Sequence, residues 1–123
     1  MPKGSRGGSK SSIPSRLKGI GKFREYEYNL DKEFNSAIGK RLSNKLEKAT
    51  STRSLINALK NDGFKIERHG ESGRNNERKD IAFAREKNGV IELLTITTRE
   101  RWENGKKYFW LDQATYSWHA VGD

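Results

Sequence analysis

KDIAFAREKNGVIELLTITT, residues 79–98, places an aspartate ahead of one apolar run, an Asn-Gly pair after it, and a second apolar run beyond the pair. Both runs are rich in Ile, Val, Phe and Thr, which suit a pleated, half-buried surface. Asn-Gly between two such runs is a strong short-range hairpin signal. A type I′ turn needs positive φ at both central positions, and Asn and Gly adopt it at least cost. The stretch therefore predicts strands over residues 80–86 and 90–99. Alternation divides the second strand: Ile91, Leu93, Thr95 and Thr97 share one face, and Val90, Glu92, Leu94 and Ile96 share the other.

On the N-terminal side, FKIERHG alternates Phe64, Ile66 and Arg68 as a strand does, and the polar stretch ESGRNNERK reads as a loop. Before it lies a helix with Ser51 or Thr52 as cap, Leu55, Ile56 and Leu59 as apolar face, and Gly63 where a C′ glycine belongs. Leu30, Phe34, Ile38, Leu42 and Leu46 fall at steps of four and predict an earlier helix over 30–48. Gly39 inside it costs roughly 1 kcal/mol against alanine. On the C-terminal side ENG at 103–105 is a turn. KKYFWLDQ is a strand or the start of a helix, and ATYSWHA a short final helix. The fold class is α+β: two N-terminal helices, a three- to four-stranded mainly antiparallel sheet, and a short C-terminal helix.

The 123 residues suffice for one modest core. The formal charge of +9 points to a polyanionic partner. Lys3, Arg6, Lys10, Arg16, Lys18, Lys22 and Arg24 lie in residues 1–24 with no acidic residue among them. Of the 25 Lys and Arg, 18 then remain against 16 Asp and Glu, so residues 25–123 are near neutral. The chain divides into a disordered basic tail, 1–24, with Ile13, Leu17, Ile20 and Phe23 as anchors toward its end, and a single domain, 25–123. Such an arm binds phosphates without sequence preference; the bland alternative is a solubilising tail. With no cysteine, disulfides and thiolate metal sites are excluded. No apolar run approaches the ~20 residues of a membrane span. No secretory signal is visible, so the expected location is intracellular, cytoplasmic or nucleoid-associated.

From Thr50 to Gln113 the sequence resembles the archaeal Holliday-junction resolvases, which are PD-(D/E)XK, or restriction-endonuclease-like, nucleases. STRSLINALKNDGFKIERHGESG is similar to the family's opening: a capped helix, Gly-Phe, a strand ending in Arg and a Ser-Gly loop. KDIAFAREKNGVIELLTITTRE looks like its central hairpin, with Lys79-Asp80 where Pro-Asp is usual, and NGKKYFWLDQA like the segment beyond. The resemblance implies a truncated nuclease core. Asp80 matches the metal-binding aspartate, Thr52 the position of a helix glutamate, Thr95 and Thr97 the Glu and Lys of Glu-x-Lys, and Gln113 a glutamine near the site. The family's reaction uses Mg²⁺ held by hard carboxylate oxygens. With threonines at three of these places the catalytic site reads as lost. An active endonuclease using Asp80 and Glu92 as metal ligands is the alternative, but alternation turns Glu92 away from Thr95 and Thr97. Glu92 then reads as a solvated or ion-paired strand residue. In the family the loop near Asp80, here GESGRNNERK, approaches DNA, which nominates Arg74, Arg78 and Lys79, with Arg68 just ahead of it; a solvated loop without that role is the equal alternative.

Trp102, Tyr108, Phe109, Trp110, Tyr116 and Trp118 cluster late in the chain, interleaved with Arg99, Arg101, Lys106 and Lys107. They serve as core, with Phe109 and Trp118 buried and Tyr108 and Trp110 outward, or as base-stacking rings beside phosphate contacts. His69 with Arg74, Arg78 and Lys79, or His119 with Tyr116, offers parts of a metal-independent ribonuclease; surface histidines are the simpler reading. The leading expectation is nucleic-acid binding, DNA before RNA and branched or structured DNA within that, with a homodimer left open. A toxin-like ribonuclease and a phage or viral structural component are the alternatives.

Overall fold

In the computed structural model, which describes residues 26–27 and 32–120, Asn88 and Gly89 have φ of 53° and 78°. With Lys87 paired to Val90 across them, this is the two-residue type I′ hairpin that the composition demands. It joins β3 (Arg78–Lys87) to β4 (Val90–Glu103). β2 (Lys65–Ser72) pairs antiparallel with β3, and β5 (Lys106–Ala120) with β4. The two-residue β1 (Tyr26–Glu27) lies on the outer edge of β5, so the order is β1-β5-β4-β3-β2. The basic segment 1–24 and Leu30 lie outside the described residues.

Three helices cover one face. The expected helix over 30–48 is two, α1 (Lys32–Ile38) and α2 (Lys40–Lys48). Gly39 divides them at φ 90°, ψ 155°, a conformation that residues with a Cβ resist. The apolar stripe survives the break: Phe34, Ala37, Ile38, Leu42 and Leu46 are all buried. α3 (Thr52–Asn61) starts at Ser51, whose side chain accepts from the Ser54 amide while Ser54 accepts from the Ser51 amide. It ends in a Schellman motif, with Phe64 N donating to Leu59 O and Gly63 N to Lys60 O.

The C-terminal helix expected over ATYSWHA is instead part of β5. Ala114, Tyr116, Trp118 and Ala120 are buried at every second position, a period of two that a helix would scatter around its axis. The polar loop is also shorter than its composition implies. Glu71 and Ser72 pair with Lys79 and Arg78, leaving residues 73–77 and a short 3₁₀ turn, Arg74–Asn76.

The core lies between the helices and Ile81, Phe83, Val90, Leu94 and Ile96, with Phe64 edge-on to Phe83. Inside it is one ionic chain. Arg85 donates to Glu92 Oε2 at 2.9 Å through Nε, and its Nη2 lies 2.6 Å from the same oxygen. Arg85 Nη1 donates to Asp62 Oδ2 at 2.6 Å and to Asp62 O at 2.9 Å, at the C-cap of α3. Tyr116 Oη donates to Glu92 Oε1 at 2.8 Å, and Arg41 reaches Asp62 at 2.9 Å. The Arg85 guanidinium also stacks 4.3 Å from the Phe64 ring centroid.

Two stability measurements check this account. Gly89→Val should destabilise by more than about 1 kcal/mol in urea denaturation, because a β-branched residue resists positive φ; an unchanged midpoint would remove the turn from the fold's requirements. Glu92→Ala should cost about 3 kcal/mol or more, since it removes one of the two carboxylates that hold the buried Arg85 and leaves the Tyr116 hydroxyl without its acceptor. Tyr116→Phe should cost less, about 1.5–3 kcal/mol, the loss of one hydrogen bond to a charged group. Equal losses for the two would contradict the order.

Candidate functional site

Antiparallel pairing sets three candidate residues in one row. Asp80 on β3 faces Thr97 on β4, and Thr97 faces Gln113 on β5. Thr95 lies one pair further along the same face. No described helix packs there, and this is the open face of the sheet. Thr97 Oγ1 donates to Asp80 Oδ1 at 2.5 Å, and Arg78 Nε donates to Asp80 Oδ2 at 3.0 Å. Burial pushes the Asp80 carboxyl up, but the hydrogen bonds from Thr97 and Arg78 and the charges of Arg78 and Arg99 outweigh it. The carboxyl is held below its ordinary value.

The remaining candidates are not brought to Asp80. Glu92 points into the core on the helix face, committed to Arg85 and Tyr116. Thr52 is also on the helix face: its hydroxyl shares a 2.8 Å hydrogen bond with Thr98 Oγ1, one residue off the Thr97 position. Mg²⁺ needs near-octahedral oxygen ligands and usually at least one carboxylate free to bind it. Around Asp80 the donors are one carboxylate already paired with an arginine and a threonine hydroxyl that donates to it. This set does not fit the ion, and no group of three or more His, Cys, Asp or Glu suited to a metal occurs among the described residues.

The helix-face end of the sheet forms a separate cleft of about 380 Å³ at the start of α3, lined in part by Thr52, His69, Glu71, Lys79, Glu100 and Lys107. Thr52 N donates to Glu100 Oε2 at 2.9 Å, placing a carboxylate at the helix N-terminus where the peptide dipoles favour it. Lys107 Nζ lies 3.5 Å from Glu100 Oε1. Glu71 stands between His69 and Lys79, at 3.9 and 3.5 Å. Neither ribonuclease grouping is assembled as expected. Arg78 faces the open side while His69 faces the helices, and the Tyr116 hydroxyl is in the core while His119 lies on the open face.

The expected nucleic-acid contacts divide as well. Arg68, Arg78, Arg99 and Arg101 are on the open face, Lys79 on the helix face, and Arg74 in the turn. The seven tail cations lie outside the described residues. Acidic neighbours hold several of these arginines: Arg99 bonds Asp112 at 2.9 Å, and Arg101 reaches Glu77 at 3.3 Å. Two features escaped the sequence reading. Glu100 was discoverable, because extending the Glu92 face by steps of two leads to Thr98 and then Glu100. The bulge at Asp112 was not: Thr97 pairs with Gln113 but Thr98 with Leu111. That slip turns Tyr108 and Trp110 to the open face.

Comparison of the chain with protein-family models, with curated proteins and with solved structures finds no match in any of the three. No described helix is long and apolar enough to cross a membrane.

Glu100 has a testable pH signature. Burial raises its carboxyl, but hydrogen bonds from Thr52, backbone first, and the charge of Lys107 bring it below its ordinary value. A carboxyl depressed in the folded state contributes stability that is complete above its unfolded value, near 4.5. That contribution is lost as pH falls through the lower folded value. Glu100→Gln should therefore lower Tm at pH 7, and the gap to the unmutated protein should narrow below about pH 4.5. Melting curves across this range check it; a gap that does not change with pH would mean that charge contributes nothing to the contact.

Proposed function

We propose that the protein binds nucleic acid, DNA in preference to RNA, and does not cut it. The observation that carries this reading is the charge distribution: seven cations and no acid in residues 1–24, ahead of a nearly neutral body. The open face supports it, since Arg68, Arg78, Arg99 and Arg101 all project there beside exposed rings. The resolvase-like pattern around Asp80 favours DNA, branched or structured, and a nuclease-type core. Loss of cleavage is supported by the donor set: Asp80 is taken by Arg78 and Thr97, and Glu92 and Thr52 lie on the other face.

The test replaces Lys3, Arg6, Lys10, Arg16, Lys18, Lys22 and Arg24 with serine in the full chain. Each phosphate contact contributes roughly 0.9 to the slope of log K against log salt, so the slope should fall by between about 2 and 6. An unchanged slope would remove the segment from binding. Four-way junction, duplex DNA and RNA should all survive incubation with the unmutated protein in Mg²⁺ or Mn²⁺, and Asp80→Ala should bind as well or better, having lost a negative charge. Metal-dependent cutting abolished by Asp80→Ala would overturn the non-cleaving reading.

A further inference from the structure

The last pair between β3 and β4 is Arg78 with Arg99. Beyond it β4 keeps only β5 as a partner, and residues 100–109 run on as a two-stranded ribbon, from Glu100 paired with Phe109 to Glu103 paired with Lys106. Asn104 and Gly105, at φ 53° and 77°, close it. This end of the sheet carries three of the four large hydrophobic side chains that stand exposed among the described residues: Trp102 at 69%, Tyr108 at 44% and Trp110 at 37%. Trp102, paired with Lys107, lies on the other side of the ribbon from Tyr108 and Trp110. Rings left in water forgo stabilisation that burial would supply, and the two that share a face mark a binding surface.

The chemistry beside the rings narrows the partner. Tyr108 and Trp110 are two residues apart on β5 and share the open face. The Arg101 guanidinium lies 5.4 Å from the Trp110 centroid, and Lys106 Nζ lies 5.8 Å from that of Tyr108. Rings flanked by cations match a ligand that alternates flat π surfaces with anionic groups. We propose that the open face of this ribbon and of the pair at its base, Arg99 with Trp110, binds a single strand of nucleic acid, its bases stacking on Tyr108 and Trp110 and its phosphates meeting Arg101 and Lys106; the inference rests on the nucleic-acid reading above and names its substrate class.

Two physical points favour a single strand over a duplex. A ring can stack only on a base face, and in a duplex those faces are covered by neighbouring bases. Residues two apart on a strand are separated by about 6.8 Å, twice the roughly 3.4 Å between successive bases along one strand of a duplex. Bases resting on both rings are therefore unstacked from each other. A two-stranded ribbon also fits the major groove, but there polar side chains reach base edges. Here rings fill positions 108 and 110. Arg101 is in addition held by Glu77, which suits a local phosphate contact more than deep insertion.

The experiment uses the full chain with fluorescent oligothymidylate and oligouridylate of about 12 nucleotides and a duplex of equal length, within the site sizes of single-strand-binding folds, at about 0.2 M salt to weaken the tail's contribution. Both single strands should bind more tightly than the duplex, oligothymidylate ahead of oligouridylate; the reverse order would overturn the preference for DNA. Tyr108→Leu and Trp110→Leu should each weaken single-strand binding about tenfold, the lower part of the range for one stacked base. Duplex binding and the salt slope should be nearly unchanged, and Trp110→Phe should restore most of the loss. Oligothymidylate should also quench the tryptophan emission of the unmutated protein, a readout independent of any variant's folding. Equal affinity for duplex, leucine variants that bind like the unmutated protein, or absent quenching would overturn the proposal. So would a dimer that Trp110→Leu converts to monomer, because the rings would then serve a second copy of the chain. If no nucleic acid binds at all, the function proposed above fails with it; if salt-dependent binding persists while the ring variants behave normally, only the stacking site fails.

Discussion

Arg85 is the residue on which the architecture turns. It sits on β3 beneath the helices, buried, with one side of its guanidinium on Glu92 of β4 and the other on Asp62 at the end of α3. Taking three charges out of water is unfavourable, and the arrangement holds because nearly every donor and acceptor is met: Tyr116 supplies Glu92's other oxygen, and Arg41 and the Arg85 guanidinium share Asp62. Phe64, placed over the guanidinium by the Schellman turn, seals the pair from solvent. One side chain thus ties α3 to the sheet, joins β3 to β4, and through Glu92 reaches β5. An apolar core of similar volume would be at least as stable in principle; a paired charge also selects one seating of α3 on the sheet.

That choice has a chemical consequence. With Glu92 used inside, the only carboxylate in the row across β3, β4 and β5 on the open face is Asp80, and Thr97 and Arg78 satisfy it. The face is lined by threonines at 95 and 97 and by Gln113, groups that make hydrogen bonds but neither hold a hard cation strongly nor activate water. The carboxylate that meets the helix N-terminus, Glu100, belongs to the other face and completes an electrostatic contact with Thr52 and Lys107. The two faces therefore have separate chemistry: one closes the core, and the other presents arginines, hydroxyls and rings.

The long β4–β5 pair extends past the part of the sheet that helices cover. Inside the body alternation sends Ala114, Tyr116 and Trp118 to the core. At Asp112 one extra residue enters β5, and beyond it Leu111 faces inward while Trp110 and Tyr108 face out. A bulge of this kind re-aims side chains and increases local twist. The result is an aromatic surface at the rim of a sheet whose core ends a few residues earlier.

Much of this was legible from residue order alone. The Asn88-Gly89 hairpin, the capped helix after Ser51, the Gly63 terminus and the division of β4 into two faces follow from local rules, because turn dihedrals, caps and strand alternation depend on neighbours in the chain. The Gly39 break was visible as a weak point but not as a change of direction. ATYSWHA failed as a helix because its preference is decided by β4 lying alongside, a partner some twenty residues away. Sequence by itself determined the α+β class, the hairpin and the basic segment. Only the tertiary structure decided that the ion-pair partner of Glu92 is Arg85, that Thr52 meets Thr98 and Glu100 across the helix face, and that the outward direction expected for Tyr108 and Trp110 is produced by a bulge at Asp112. Such pairings depend on which strands and helices come together in space, and no local pattern encodes them.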